Sequence, residues 1–487
     1  MSLLSGQSFQ PGWEMKARLI LQAGVFLILF YALFFYFYRK HFWGELEHRR
    51  LFFWTIGILA PVIIGKFAIF YFAKGYIPDH MLFFAVPSPK FSGWSWLLPV
   101  ALSLGIFWRF YQKMENWTTA KFLAVLWIVF ILFSVGVAGF RDGSLGIYEP
   151  FTRSQWDYAG DLPLVKSIPQ FLRDYASLNP KLSVHGSVHP PGNVLVLYIL
   201  QKIFKVDFLG LAMLVTGIGG AFVFPVYYFW RQFIPEAETR KLLSLFIFIP
   251  SIVMFSATSM DAIMMTFSWL ALSVSFWGWK KGGLAAFIGG VLAGIALLMH
   301  FLFLLFGIVF LSFLVYLYQR ADIRERLVIV KRAIWSLFGF LAFNAFLYFS
   351  TGYSVAANFF VAKSIHYNIA EASAPAVSAY LLFAFTNIFA FSFYFGISNI
   401  ILFLWSGNRE LFRNKKFLAS IGFCAVFFFV LSGIFQGEVE RLWLFLIPLF
   451  ILPVNIALER SGVQPPAVIS LLIFQIVTMQ TLFYTYW

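Results

Sequence analysis

The 487-residue chain is 61% hydrophobic and 12% charged, and this balance excludes a soluble globular protein, which could not bury so much apolar surface. Its only cysteine, Cys424, excludes a disulfide framework and a thiolate zinc cluster. The net charge of +15 does not indicate nucleic-acid binding, because the lysines and arginines lie between apolar segments, where they orient a protein in a bilayer. The composition therefore predicts an all-α polytopic membrane protein.

About fourteen apolar runs could cross a hydrocarbon layer of roughly 30 Å. They lie near residues 19–38, 51–73, 97–111, 120–139, 207–228, 242–257, 262–277, 284–299, 301–318, 333–350, 379–404, 416–434, 442–457 and 467–486. The run 191–206 is expected to lie on the outer membrane surface, because Lys202 and Lys205 interrupt it. Lys66, inside the second run, is expected to extend along its span toward the outer interface.

Six loops between these runs are rich in lysine and arginine. If 191–206 does not span, all six lie on one side, which the positive-inside rule identifies as the cytoplasm. The loops contain Arg39, Lys40, Arg49 and Arg50; Lys113 and Lys121; Arg231, Arg240 and Lys241; Lys280 and Lys281; Arg320, Arg324, Arg326, Lys331 and Arg332; and Arg409, Arg413, Lys415 and Lys416. Segments 139–192, 351–378 and 435–441 are then expected on the outer side, together with both termini.

The polar segment 139–192, the outer loop, concentrates the side chains from which an active site could be built. Its acids and histidines are Asp142, Asp157, Asp161, Asp174, His185 and His189. Pro169 suits the first turn of a helix, and Phe171, Leu172 and Tyr175 give that helix an apolar stripe. The pattern predicts a short amphipathic helix lying in the membrane interface.

A tight bend is predicted at His189-Pro190-Pro191-Gly192, because each proline restricts the residue before it and lacks the donor that a helix interior needs. Other polar residues stand at span ends on the same predicted side as this bend. They are Asp261, His300, Lys363, Glu438, Glu440 and Arg441. Ionisable groups at membrane depth are costly and usually mark a site, so these residues and the outer loop are expected to share one cleft.

The order of these elements resembles the integral-membrane glycosyltransferases of the GT-C superfamily, in particular the protein O-mannosyltransferase and aminoarabinose-transferase branch. The resemblance rests on Trp156-Asp157-Tyr158, Gly160-Asp161, the amphipathic helix, the His-Pro-Pro bend and the acid at Asp261. It covers residues 120–318. The sequence Gly-Glu-Val-Glu-Arg at 437–441 is similar to a motif of bacterial members of that superfamily.

The resemblance implies a GT-C-like catalytic core over 120–330, preceded by an N-terminal transmembrane extension, 1–119, and followed by C-terminal helices, 331–487, that complete the cavity. The chain departs from the family in two places. Its first three spans precede the usual first helix of the superfamily, and Gly192 follows the two prolines where other members have an aromatic residue or leucine.

Members of the superfamily transfer a sugar from a polyprenyl-phosphate carrier to an acceptor outside the membrane, usually with inversion. The resemblance thus implies an enzyme of the bacterial plasma membrane with an outward-facing site, a polyprenyl-phosphate sugar as donor and a glycan, lipid or protein as acceptor. Such a donor explains the lack of a Gly-rich phosphate loop. No ligand spacing demands a metal, although the acids and histidines would suit a divalent cation.

An inverting transfer needs a carboxylate that takes the proton of the acceptor hydroxyl, and cationic groups that stabilise the departing phosphate. Asp157 is the first candidate for the base, followed by Asp161 and then Asp142. The candidates for the phosphate are Arg441, His300, Lys363 and His189. Arg441 is favoured if Glu438 or Glu440 orients its bidentate fork.

Structural roles and other functions compete with this interpretation. Asp157 and Asp161 could be solvated loop residues or helix caps, and Glu438 with Arg441 could form only a structural ion pair. The alternative function is a transporter or flippase with a polar outer cavity, and a third is a non-catalytic scaffold. A transporter should carry ionisable residues near the midplane on broken helices of both halves.

Overall fold

The chain folds almost entirely into helices in a computed structural model, which describes residues 13–72, 85–152, 156–371, 377–405 and 438–485 and the single positions 421, 425, 426 and 430. The helices are α1 (Trp13–Phe42), α2 (Leu46–Phe72), α3 (Leu97–Phe110), α4 (Thr119–Asp142), α5 (Leu145–Thr152), α6 (Ile168–Leu178), α7 (Val184–Val188), α8 (Gly192–Phe204), α9 (Phe208–Gly220), α10 (Val223–Trp230), α11 (Glu236–Phe246), α12 (Pro250–Ser256), α13 (Asp261–Lys281), α14 (Gly283–Met299), α15 (Phe303–Arg320), α16 (Ile323–Thr351), α17 (Val355–Glu371), α18 (Val377–Phe395), α19 (Ile397–Trp405), α20 (Val439–Leu442), α21 (Ile447–Ser461) and α22 (Pro465–Leu482). Strands β1 (Val86–Pro87) and β2 (Phe483–Tyr484) form an antiparallel pair.

The described residues contain nine helices long and apolar enough to cross a membrane, or up to eleven if each of two bent helix pairs is one span. This confirms the predicted all-α polytopic membrane fold. Two further predicted runs form shorter helices, α3 with 14 residues and α14 with 17. The predicted span 416–434 and the basic loop before it lie almost wholly outside the described residues. The run 191–206 forms α8, a helix of only 13 residues.

Several of the basic loops contact one another at one end of the bundle. Arg240 donates from Nη1 to the carbonyl oxygen of Met114 at 2.5 Å. Lys280 donates to Gln232 Oε1 at 3.1 Å, and Arg332 donates from Nη1 to the carbonyl oxygen of Lys280 at 2.6 Å. We call this end of the bundle the basic end, and these contacts join the loops that the sequence placed on one side.

The opposite end of the bundle carries the polar residues around Asp261. Helix α13 has 21 residues and runs from Asp261 to Lys281, so its two ends lie about 30 Å apart at 1.5 Å per residue. Helix α4 likewise runs from Thr119, beside the basic loop at 111–116, to Asp142. The outer loop therefore begins at the end of the bundle opposite the basic end.

Glycines allow α13, α14 and α16 to pack closely. A Cβ atom on Gly290 would lie 1.8 Å from the carbonyl oxygen of Ser336, and one on Gly339 would lie 2.1 Å from that of Phe287. Membrane helices associate through close backbone approach at small residues, since lipid supplies no hydrophobic driving force between them. A Cβ atom on Gly289 would likewise lie 2.6 Å from the backbone nitrogen of Ser275, so α14 also packs closely against α13.

Two helix pairs are sharply bent, and the breaks between their helices lie against each other. Helices α11 and α12 meet at 59°, and the pair Phe383–Phe395 and Ile397–Trp405 meets at 99°. Gly396, with φ of 103°, forms the second break, and a Cβ there would lie 3.5 Å from Cδ of Pro250. Gln475 satisfies the interrupted backbone, accepting from the Ile397 N–H at 2.9 Å and donating to the Phe393 carbonyl at 2.7 Å.

The amphipathic helix predicted in the outer loop is confirmed as α6. Ser167 accepts a hydrogen bond from the Gln170 N–H at 3.4 Å, which caps the helix, and proline stands in the first turn. Phe171, Leu172 and Tyr175 are buried, as their spacing predicted. The buried stripe holds α6 against the rest of the outer loop.

The bend at His189 to Gly192 is also confirmed, and it explains the glycine after the two prolines. His189 is extended, and Pro191 precedes the first residue of α8. A Cβ atom on Gly192 would lie 2.3 Å from the carbonyl oxygen of Leu298 in α14. The backbone of α8 therefore packs directly on the end of α14, where a larger residue has no space.

Replacing Gly192 by alanine is expected to lower the free energy of unfolding by about 1–3 kcal/mol, because the new methyl group overpacks the contact with Leu298. Gly217 in α9 is the matched control, since no atom lies within 4 Å of a Cβ added there. Thermal unfolding in detergent should separate the two variants. Equal melting temperatures for Gly192→Ala and Gly217→Ala would contradict the close packing.

The N-terminal helices pack against the C-terminal ones: α1 contacts α22, and α2 contacts α19. Arg141, at the end of α4, connects an N-terminal segment to a C-terminal one at the polar end of the bundle. Its Nη1 donates to the carbonyl oxygens of Ser88 at 2.8 Å and Phe483 at 3.0 Å. Asp142 beside it pairs with Lys90.

Candidate active site

A small polar cavity lies at the start of α13, covered by the outer loop. Its lining residues are Pro150, Asp157, Tyr158, His185, His189, Leu197, Thr258, Ser259, Met260, Asp261 and Arg441. The structure thus brings together three segments that lie far apart in sequence: the outer loop, the α12–α13 turn and α20. The cavity volume is about 10 Å³, room for about one water molecule, so a sugar ring enters only if the walls separate.

Arg441 forms the cationic wall of this cavity. Its Nε lies 3.2 Å from Oδ2 of Asp261, and its Nη2 donates to Oε2 of Glu438 at 2.6 Å. The side chains of Arg441 and Asp261 are only 8% and 10% exposed, whereas that of Glu438 is 37% exposed. Glu438, rather than Glu440, therefore orients the guanidinium from the solvent side.

Local backbone structure positions the two acidic side chains that pair with Arg441. Asp261 is the first residue of α13, where the helix dipole favours a carboxylate. Glu438 has φ of 56°, a left-handed conformation that non-glycine residues rarely adopt. Such conformations persist only where surrounding contacts hold them, and they cluster at functional sites. The ion pair with Arg441 is one such contact.

Asp157 lines the same cavity as Arg441 and is paired with a histidine. The Nδ1 atom of His185 lies 3.1 Å from Oδ1 of Asp157, and each side chain is 19% exposed. The backbone N–H of His185 donates to the carbonyl oxygen of Trp156 at 3.1 Å, which fixes the two segments together. Because Nδ1 faces the carboxylate, this nitrogen carries the proton and donates it to the hydrogen bond.

Asp161 has different surroundings, although it lies only four residues away. It is buried, and its two oxygens accept hydrogen bonds from Ser183, from N–H at 2.7 Å and from Oγ–H at 2.8 Å. Burial raises the pKa of this carboxyl above its ordinary value, and the bonds from Ser183 oppose part of that shift. Asp161 does not line the cavity and connects two parts of the outer loop.

The variant Asp161→Asn is expected to lose about 1–3 kcal/mol of stability, because one donor of Ser183 loses its acceptor. Because the pKa of Asp161 is higher in the folded protein than in the unfolded chain, the unfolding free energy of the wild type should fall as pH rises above 3.8. Asparagine does not titrate, so the stability difference between the wild type and Asp161→Asn should narrow over that range. Thermal unfolding at several pH values measures this, with Asp174→Asn in α6 as the control. Equal unfolding free energies for Asp161→Asn and Asp174→Asn would contradict the claim that Asp161 stabilises the outer loop.

The remaining candidates from the sequence do not line the cavity, with the exception of His189. His189 lines it, and its carbonyl oxygen accepts from the Tyr175 hydroxyl at 3.1 Å. His300 is buried with Nε2 3.1 Å from Ser268 Oγ. Lys363 is an exposed residue of α17, and Asp142 pairs with Lys90.

Glu440 and Lys66 form a second buried charged group, separate from the cavity. Glu440 is 2% exposed and interacts electrostatically with Lys66, which is 6% exposed. The expectation that Lys66 extends to the outer interface is therefore wrong. An acid on α20 attracts it into the bundle, and the sequence did not show that the two side chains meet.

Metal-ligand clustering is absent from the part of the chain that the structure describes: no three His, Cys, Asp or Glu side chains converge as they would around an ion. The cavity combines Arg441 with the carboxylates of Asp157 and Asp261. Glu438 pairs with the same arginine. This arrangement can hold an anionic group at Arg441 and accept a proton at Asp157.

Sequence reasoning missed His185 and Tyr158 as lining residues. Both residues lie in the polar outer loop, which the sequence identified as a candidate site. Nothing in the sequence showed that His185 would pair with Asp157. Tyr158 packs between two histidines, with ring centroids 5.8 Å from His185 and 6.0 Å from His189.

No protein-family model matches this chain, and no curated protein matches it.

Proposed function

We propose that this protein is a membrane glycosyltransferase that moves a sugar from a polyprenyl-phosphate donor to a hydroxyl of a glycan, lipid or protein acceptor. The observation that carries the proposal is the cavity that the Asp157–His185 pair and the buried Arg441 line together. A base and an anion-binding group in one cleft are the two elements that an inverting transfer from a phosphate carrier requires.

Asp157 is the proposed general base. The acceptor oxygen attacks the anomeric carbon as the bond from that carbon to the phosphate oxygen breaks, and the electron pair leaves with the phosphate. The acceptor proton passes to Asp157. His185 donates from Nδ1 to one oxygen of Asp157 and thereby leaves the other oxygen to face the acceptor.

Arg441 is the proposed partner of the departing phosphate. Its guanidinium offers a rigid fork that matches phosphate oxygens, and burial strengthens its interaction with the charge that develops on the leaving group. Asp261 holds Nε from the protein side. Glu438, the more exposed partner, is the group with which an incoming phosphate competes.

The active site is proposed to face away from the cytoplasm. Several of the basic loops contact one another at the end of the bundle opposite Asp261, and the positive-inside rule assigns that basic end to the cytoplasm. A polyprenyl tail would then lie in the bilayer while its sugar phosphate enters from the outer surface. The bacterial plasma membrane is the location that the GT-C resemblance implies.

Transport is the second candidate, and the broken helices favour it, because transporters bind cargo at interrupted spans. Transporters, however, usually place charged groups at such breaks, and neither 242–260 nor 383–405 contains a charged residue. Gln475 satisfies the second break with neutral hydrogen bonds. A buried ion pair, Arg441 with Asp261, lies instead at the cavity of Asp157, which supports the transferase.

The test is incubation of purified protein in lipid nanodiscs with a panel of polyprenyl-phosphate sugars, followed by detection of free polyprenyl phosphate. Release that depends on an added acceptor would support the transferase, and a hydrolytic background is subtracted with acceptor-free reactions. Binding of the donors without release across the panel, together with movement of intact donor between leaflets of a vesicle, would establish the transporter instead.

A further inference from the structure

A groove of 460 Å³ runs along one face of α2 from the basic end toward the middle of the bilayer. Its polar end is formed by Arg49 and Arg50 in the first turn of the helix, and its apolar part by Phe53, Trp54 and Gly57. The groove lies at the end of the bundle opposite the candidate active site. It is unrelated to the proposed transfer reaction.

The two arginines differ in how they are held. Arg50 donates to Glu47 Oε1 at 2.7 Å on the surface. Arg49 is half-buried, and within the described part of the chain its buried Nε has no hydrogen-bond partner. A buried guanidinium nitrogen without an acceptor is costly, because it has lost water without replacing it.

The apolar part of the groove points outward. Phe53 is 61% exposed and Trp54 is 58% exposed, so the face is turned to lipid rather than to another helix of the bundle. Gly57, one turn further along the helix, leaves an indentation beside them, since no atom lies within 4 Å of a Cβ added there. The indentation offers a path for a hydrocarbon chain that begins at the arginines.

We propose that this groove binds an acidic phospholipid, with the phosphate at Arg49 and Arg50 and one acyl chain along Phe53, Trp54 and Gly57. The charge is complementary, because the same loop also carries Arg39 and Lys40 and only Glu45 and Glu47 oppose them. Clusters of basic residues at the end of a span attract anionic lipids. Arginine forks match phosphate oxygens, and the bilayer supplies the acyl chain in place.

Native mass spectrometry of the delipidated full-length protein tests the proposal, with phosphatidylglycerol and phosphatidylcholine as probes. The wild type is expected to bind phosphatidylglycerol about tenfold more tightly than phosphatidylcholine, and the double variant Arg49→Gln/Arg50→Gln should lose that preference. Arg324→Gln, an exposed arginine at the same end of the bundle, is the matched control and should keep it.

Gly57→Leu tests the acyl-chain part without changing any charge and without a clash, so it decides the matter even if the double variant does not fold. It should weaken phosphatidylglycerol binding about fivefold by filling the indentation. Equal binding of the two lipids by the wild type, or wild-type affinity in Gly57→Leu, would overturn the proposal. Displacement of the lipid by an equal concentration of inorganic phosphate would assign a soluble phosphate ligand and overturn it as well.

Discussion

Replacing Asp157 by asparagine is expected to reduce the rate of sugar transfer about a hundred- to ten-thousandfold, because the amide cannot accept the proton of the acceptor hydroxyl. The side chain keeps its shape, and its oxygen can still accept the hydrogen bond from His185 Nδ1. The fold should therefore persist. Release of polyprenyl phosphate from a sugar donor, measured in nanodiscs, reports the rate.

Asp161→Asn separates chemistry from folding in the same assay. Both oxygens of Asp161 are already engaged by Ser183, so this variant should lose stability but keep the transfer rate of its folded fraction. Asp174→Asn should lose neither. A wild-type transfer rate in Asp157→Asn would remove Asp157 as the base, and selective loss of transfer in Asp161→Asn would transfer that role to Asp161.

Arg441→Gln is expected to lower the free energy of unfolding by about 3–5 kcal/mol, because it leaves the buried carboxylate of Asp261 without its cation. Glu438 is more exposed and should contribute less to this loss. Transfer should also cease, since the leaving phosphate loses its fork. Chemical or thermal unfolding in detergent measures the first effect, and donor turnover measures the second.

The double variant Asp261→Asn/Arg441→Gln distinguishes a structural ion pair from a phosphate-binding arginine. Neutralising both partners should restore much of the stability, so the two substitutions are expected to be strongly non-additive. Transfer should remain absent in the folded double variant if Arg441 binds phosphate. Recovery of transfer together with stability would show that the pair only maintains the fold.

The sequence by itself determined the class of protein and most of its helices. Long apolar runs must be helices in a bilayer, because only internal hydrogen bonds can satisfy their backbone there. Pro169 marked the start of α6, and the two prolines after His189 marked the bend before α8. These features depend on residues close together in the chain, so local physical chemistry predicts them.

The candidate site was predictable only as a set of residues expected to meet. The sequence named Asp157, Asp261 and Arg441 because their loops share one predicted side of the membrane, and the structure places all three around one cavity. It could not rank Asp157 above Asp161 on environment, since both are acids of the same loop. Nor could it identify His185 as the partner of Asp157.

Only the tertiary structure decided which of these side chains are paired, buried or open to the cavity. Glu438 binds Arg441, while Glu440, two residues away, is buried and interacts electrostatically with Lys66. Gly192 is required by a carbonyl of α14, more than a hundred residues away. Burial and pairing depend on contacts between distant segments, whereas the pattern of a sequence reports mainly what each segment does alone.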